Sequence, residues 1–343
     1  MLEVLEPGLL STVQDAGRPE WTHLGVPVSG ACDPWSLAVA NLLLDTDRGA
    51  AALEMTLVGP TLAVLDAGVV ALAGADLGGR VLETGRRLLP GRVHRLERST
   101  TLEFPGPVDQ TTGARAYLAM PGGIAVPDVL GSASTCLSGG FGGIHGRPLR
   151  PGDRLEPLAG SVDRPDLEDR IWSVNDEEAP ATGPGVAPIR LVDGPHLDLL
   201  GGSIRDRLIA GPWVVDQASD RVGLRLAGPE LAGPDTTGEP RAWPELLSHG
   251  VVWGAVQVPP DGTPIVLLSD HQTVGGYPVV AVAIAADRPR LGQLRPGSPV
   301  RFERTDLATA RDELRRQQRL LLAGAATLRE SARWDELWRS AGG

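Results

Sequence analysis

Gly250-Val-Val-Trp-Gly-Ala-Val-Gln-Val-Pro-Pro-Asp-Gly-Thr-Pro-Ile-Val-Leu-Leu-Ser-Asp-His-Gln-Thr-Val-Gly-Gly-Tyr-Pro278 decides how this chain reads. Two apolar segments, Val251–Val258 and Ile265–Leu268, flank Pro259-Pro260-Asp261-Gly262. Proline fixes φ and Asp-Gly tolerates a tight turn, so the stretch predicts a β-hairpin. The second strand runs into Ser269-Asp270-His271-Gln272-Thr273, then Gly275-Gly276-Tyr277-Pro278. Polar side chains gather on one bend between apolar strands, where a rigid scaffold can hold a site in geometry.

The same texture extends outward. Short β-patterned segments recur, among them Thr61–Leu65, Val69–Ala73, Ala116–Met120, Ile189–Val192 and Val279–Ile284, punctuated by 44 Gly and 30 Pro. This spacing predicts a mainly β protein, sandwich- or barrel-like, with few helices. One helix is expected from an Asp33 N-cap, with Pro34 at its first position, through Leu43. A second starts near Thr305-Asp306, with Leu307, Ala310, Leu314 and Leu321 on one face, and a short tail helix, Trp334–Arg339, follows. Between Leu158 and Pro188 the chain turns acidic and rich in Pro and Gly. The expected division is therefore a β-rich half at 1–157, a linker or surface excursion at 158–187, a second β-rich half at 188–304 and a helical tail at 305–343. Leu149-Arg150-Pro151-Gly152-Asp153 and Leu294-Arg295-Pro296-Gly297-Ser298 close the two halves alike. That is either a trace of two related barrels or the ordinary frequency of Pro-Gly turns in β proteins.

Composition removes several functions. The 343 residues carry a net charge of −11, which argues against a nucleic-acid or membrane-surface partner. All 32 basic residues are Arg, so the chain has no Walker-type Lys, no Schiff-base Lys and no Lys to carry biotin or lipoate. Cys32 and Cys136 make neither a disulfide framework nor a zinc motif, and no His has metal-ligand spacing to another, so no metal site is expected. No charged start leads into an apolar h-region, and no apolar run of about 18 residues occurs. A cytoplasmic chain is the expectation.

Three further segments are dense enough to carry chemistry. Gln14, Asp15 and Arg18 either hold a small polar or anionic ligand or, for Asp15 and Arg18, pair in a tight turn. Ser132, Ser134 and Thr135, with Gly139 and Gly140, form a glycine-rich stretch whose N–H groups could cradle phosphate; a lid or packing loop is the alternative. Arg221 and Arg225 lie four apart and, on a strand, would face one side as a carboxylate or phosphate clamp. His271, beside Asp270, is the best general acid or base in the chain.

The phrases Thr-Val-Gln-Asp-x-Gly-Arg, Gly-Val-Pro-x-Ser-Gly-Ala-x-Asp, Gly-Ser-x-Ser-Thr, Asp-Arg-x-Gly-Leu-Arg-Leu, Gln-Val-Pro-Pro-Asp-Gly-x-Pro and Asp-x-Gln-Thr-x-Gly-Gly-Tyr-Pro occur in this order. Together, over roughly Leu2 to Arg304, they resemble the biotin-dependent carboxyltransferase-type family, also called allophanate hydrolase subunit 2. The resemblance implies cyclophilin-like β-barrel architecture. It also implies one of three roles: the C subunit of an ATP-dependent 5-oxoprolinase, the transferase part of a biotin-dependent urea or amide carboxylase, or a non-enzymatic antagonist of a kinase inhibitor. The first role would bring 5-oxoprolinase subunits A and B as partners, the latter the closest. It would also bring ATP with Mg at the level of the complex, a small-molecule substrate and no covalent biotin on this chain. On that reading Asp270, His271, Gln272 and Thr273 carry catalysis, while Gln14, Asp15, Arg18, Arg221, Arg225, Gln257 and Tyr277 bind substrate. Two departures stand out: Cys32 where the family pattern has Met, and Val274 where it has a second Thr.

Overall fold

Residues buried on both faces of a strand need a layer on each side, and Arg115–Ala119 is buried at every position. The computed structural model describes residues 1–158, 164–168, 170–173, 187–200, 203–231 and 246–340, with side chains to residue 330 in the last helix. Arg115–Ala119 is the middle strand of a five-stranded antiparallel sheet, between Ala52–Thr56 and Gly68–Gly74, with Leu10–Gln14 and Arg92–Leu96 at the edges. Its side chains alternate with the period of two that a strand imposes. Leu53, Met55, Val70, Leu72 and Leu118 enter one core, packed with Leu2, Leu62 and Leu102 of a second five-stranded sheet. Ala52, Ala71, Ala73, Tyr117 and Ala119 face the other way, against helix α1, Pro34–Leu43. Asp33 caps α1 as expected, its Oδ1 accepting from the Ser36 N–H at 3.0 Å.

The second half is an eight-stranded sheet, ordered Pro299–Val300, Trp213–Val215, Gly223–Ala227, Ile265–Leu267, Ala255–Gln257, Val279–Ala283, Ile189–Asp193 and Phe302–Arg304. It closes around its own core with Ile204 and Leu208 of α2, Ser203–Ala210, and Leu291 of α3, Arg288–Gln293. The fold is thus mainly β, with two β-rich halves and few helices. Among the described residues no helix is long and apolar enough to cross a membrane.

The hairpin forms, but its first strand is shorter than Val251–Val258. Val256 faces Val266, and Gly262, at φ 75°, closes the turn on the Pro259 carbonyl. Gly254, at φ 78°, breaks the run, and His249–Gly250 pairs separately with Val274–Gly275. The Pro-Gly closures share their turn: the Arg150 and Arg295 N–H groups donate to the side chains of Asp153 and Ser298, at 2.7 and 3.1 Å.

One further expectation needs correction, and one segment is described only in part. Most of the 158–187 segment lies outside the described residues; its described part packs on the first half. Leu167 is fully buried with the α1 core, and the Val93 N–H donates to the Arg170 carbonyl. The C-terminal helix α4, Leu307–Ser340, is continuous, so no separate tail helix follows. Its packed face follows the expected stripe except at the start: Leu307 is exposed, Ala310, Leu314 and Leu321 are partly buried, and Leu320, Leu321 and Leu328 pack with α1. Leu307 drops out of the stripe because α4 meets the body only after its first turn.

Candidate functional site

The Ser269–Thr273 bend is held at the seam between the halves. Leaving the sheet, Leu268 and Asp270 donate their N–H groups to the carbonyls of Val222 and Arg221, each at 2.9 Å. Arg221 is only 2% exposed. Its Nε donates to Asp270 Oδ2 at 2.8 Å and its Nη2 to the Gly30 carbonyl at 2.8 Å; Nη1 reaches Glu54 Oε1 and Cys32 Sγ. Glu54 stands in an apolar strand of the first half. It also accepts from the Tyr117 hydroxyl at 2.7 Å and the Cys32 N–H at 2.9 Å, with Arg115 Nε 3.6 Å away. Burial raises the pKa of Glu54, but Arg221 and Arg115 outweigh it and hold the carboxyl below its ordinary value. Burial works against the Arg221 charge as well; Asp270, Cys32 and Glu54 overcome it, leaving the guanidinium well above its ordinary pKa.

This network corrects two assignments. Arg221 has its donors committed and cannot also clamp a substrate; it precedes the strand Gly223–Ala227, on which Arg225 is exposed, so the two do not form a pair. Asp270 receives Arg221 Nε and Nη2, at 2.8 and 3.3 Å, and is buried, so it is not a free base. It is a positioning residue for the bend.

His271 remains. Its Nδ1 lies 2.6 Å from the Gln272 carbonyl, an acceptor only, so Nδ1 carries the proton and Nε2 is the basic nitrogen. Burial holds its pKa below the usual imidazole value. Next to it, Gln272 Nε2 donates to Gln257 Oε1 at 3.4 Å, and Gln257 Nε2 is buried without a partner. A Cβ on Gly275 would sit 2.7 Å from that nitrogen, so glycine leaves the amide its room. Thr273 is half-buried and Tyr277 is 44% exposed at the rim.

The N-terminal motifs meet one another instead. Asp15 and Arg18 do not pair; both grip the Gly131–Thr135 loop. Asp15 accepts from Ser132 Oγ, Ser134 Oγ, and the Ala133 and Gly17 N–H groups. Arg18 donates to the carbonyls of Val129, Ser132 and Ser134 and stacks over Phe141. Gln14 is buried against Thr12 and the Thr135 carbonyl. The glycine-rich stretch folds onto the same loop: Gly143 N–H donates to Ala133, and a Cβ on Gly142, at φ 73°, would lie 2.0 Å from the Ser134 carbonyl oxygen. A carboxylate already occupies the point where these donors converge, and the N–H groups of Thr135, Cys136 and Gly140 end on Val13, Phe141 and Cys136. Ser132, Ser134, Thr135, Gly139 and Gly140 thus build a packing loop and do not fit a phosphate cradle.

Sequence reasoning misses Glu54, Arg115, Tyr117 and Gln293, the last joining Asp33 and the Arg115 carbonyl across the seam. The signal to be found is an acid between Leu53 and Met55 in an otherwise apolar strand. Among the described residues no group of three or more His, Cys, Asp or Glu could hold a metal ion.

Residues 24–304 match the family model described as carboxyltransferase domain, subdomain A and B. The chain is 37% identical to the C subunit of Escherichia coli 5-oxoprolinase over 93% of its own length and 96% of that protein. It is 30% identical to urea amidolyase of Saccharomyces cerevisiae over 88% of its length, which is 16% of the yeast protein. Among solved structures, TTHA0988 superposes with a TM-score of 0.75 at 36% identity, covering 88% of this chain and 55% of that one. The Kluyveromyces lactis urea amidolyase superposes with a TM-score of 0.80 at 26% identity, covering 94% and 20%.

Proposed function

This chain belongs to the carboxyltransferase domain family of subdomains A and B, and within it we propose that it is the C subunit of an ATP-dependent 5-oxoprolinase. The observation that carries the reading is the match along 96% of the E. coli relative of that name, at 37% identity against 30% for the yeast urea amidolyase. The reaction opens the lactam of 5-oxo-L-proline to L-glutamate. A five-membered lactam is a poor electrophile, which is why ATP is needed: phosphorylating the amide oxygen makes a leaving group. This chain contributes the protein side of that chemistry. His271 Nε2 accepts or returns a proton, the Gln257 amide donates toward the developing charge, and Gln272 aligns the two. Arg221 and Asp270 fix the bend without touching substrate.

ATP and Mg belong to the complex, and with the glycine-rich loop filled by Asp15, nucleotide binding falls to subunits A and B. Of these the latter is the closest partner, and the chain alone is inactive. Carboxyl transfer in a urea or amide carboxylase is the second reading, favoured by the K. lactis superposition; biotin would have to arrive on another chain, since this one has no Lys.

The test is glutamate formation from 5-oxoproline and ATP by the genomically adjacent subunits, with this chain added and then omitted. Glutamate only in its presence supports the reading. A stable complex whose glutamate output ignores the chain overturns it.

A further inference from the structure

Arg288 begins α3 and reaches back across the seam. Its Nη2 donates to the Ala31 carbonyl at 3.3 Å and to Ser269 Oγ at 3.2 Å, and its guanidinium lies over the Trp253 ring, 5.3 Å from the centroid. Nε is buried without a partner. Among the described residues no carboxylate comes within 4.0 Å of it, in contrast to Arg221. Burial lowers its pKa and Arg221 adds to this, against the opposing pull of Cys32, Tyr117 and Glu54.

The same residue lines a cavity of about 250 Å³ between α1, α3 and α4. Trp35 and Leu37 supply one wall, and Leu314 and Leu321 of α4 the other. Gln317, anchored through Nε2 on the Ala286 carbonyl, also lines it. Asp15 touches the cavity too, but its oxygens are engaged by the Gly131–Thr135 loop.

A guanidinium without a carboxylate partner, facing an apolar-walled cavity, is an arrangement that captures a carboxylate. We infer that this cavity seats a small monocarboxylate with a compact apolar body, its carboxylate on Arg288 and its body between Trp35 and Leu321. The volume lies below the span typical of drug-sized ligands, which fits a single small ring. Choosing 5-oxoproline as that ligand rests on the function proposed above; the carboxylate preference does not. Ser269 links the seat to the bend, because its hydroxyl accepts from Arg288 two residues before His271. The α4 wall lies beyond residue 304, outside the matched domain, so selectivity in this seat comes from a helix the domain itself does not supply.

The experiment is calorimetric titration of the full chain with 5-oxo-L-proline, acetate and 2-pyrrolidinone, the ring without its carboxylate. 5-Oxoproline is expected to bind and 2-pyrrolidinone to bind at least about tenfold more weakly, the scale of one lost charge-assisted pair. Acetate, a carboxylate without the ring, should fall below 5-oxoproline as well. Arg288→Gln should weaken 5-oxoproline by a factor similar to that of 2-pyrrolidinone. Gln318→Trp, on the exposed part of the α4 wall, should block binding while leaving the thermal transition in place, which keeps the test meaningful if Arg288→Gln fails to fold. Equal binding of 2-pyrrolidinone, or unchanged binding in folded Gln318→Trp, overturns the seat. Carboxylate-dependent binding by a chain that adds nothing to glutamate formation keeps the seat and removes the oxoprolinase reading. Glutamate formation unaffected by Arg288→Gln does the reverse.

Discussion

Arg221 in the second half and Glu54 in the first meet Nη1 to Oε1 at the seam, 167 residues apart in the chain. Both are almost fully excluded from water, and removing one member of such a pair leaves the other as an unpaired buried charge. Glu54→Gln and Asp270→Asn are therefore expected to cost about 3–5 kcal/mol each in urea unfolding. Arg225→Ala, at an exposed position four residues on, should stay within about 0.5 kcal/mol. Equal effects at Arg225 and Asp270 would remove the distinction drawn between them.

His271→Ala should lower the unfolding midpoint, as truncating a buried side chain does, yet leave the chain folded and abolish glutamate formation by the complex. His271→Asn is expected to be equally inactive, since Nε2 basicity is what is lost. A folded, fully active His271→Ala variant would return the bend to a structural role.

The sign of the pH effect follows from burial. His271 has a pKa below the ordinary 6.5, so the unfolded chain binds more protons between the lowered value and 6.5. Stability contributed by the neutral ring is present above 6.5 and is lost as the pH falls through that window. His196 is shifted the same way, by burial and then by His249, and adds to the slope. Unfolding free energy measured across this range should rise with pH, and replacing both histidines should flatten it.

Gly142→Ala should be severely destabilising, because its Cβ would meet the Ser134 carbonyl oxygen at 2.0 Å in a left-handed conformation. Gly140→Ala shares the positive φ but meets nothing within 4 Å, so it should cost only about 1 kcal/mol. Comparing soluble yield and midpoint of the two variants separates backbone strain from close packing.

Asp15→Ala removes the acceptor for two hydroxyls and two N–H groups at once. A loss of about 1–3 kcal/mol is expected, with no gain in nucleotide affinity in a titration with MgATP. Tight MgATP binding by this variant or by the native chain would restore the loop as a phosphate site.

Local chemistry is legible in the sequence. Asp33-Pro34 reads as a helix start, Pro260-Asp261-Gly262 as a turn, and the fold class follows from strands and punctuation; each depends on neighbours a few residues apart. The bend at 269–273 is also visible as a polar interruption between apolar strands. What stays hidden is pairing over long separations. Nothing near Arg221 says that its partners are Glu54 and Gly30, so four-residue spacing suggests a clamp with Arg225 instead. Likewise Asp270 next to His271 suggests an acid–base couple, but the strand register sends the carboxylate to Arg221 and leaves the ring to the Gln272 carbonyl. The packed face of α4 is legible in its apolar spacing at Ala310, Leu314 and Leu321; only the exposure of Leu307 is not, because it depends on where the helix meets the body.

The seam has a consequence for synthesis. As the chain leaves the ribosome, the first half can close its core around Leu53 and Leu118 while Glu54 has Arg115, Tyr117 and the Cys32 N–H but not yet Arg221. Arg221 arrives much later, and Asp270 later still. The early half therefore waits with an acid that is incompletely neutralised, and it reaches its final charge balance only when the late half docks. In a fragment ending near residue 157, Glu54 should on this account titrate above its value in the whole chain, because the Arg221 charge that lowers it is missing.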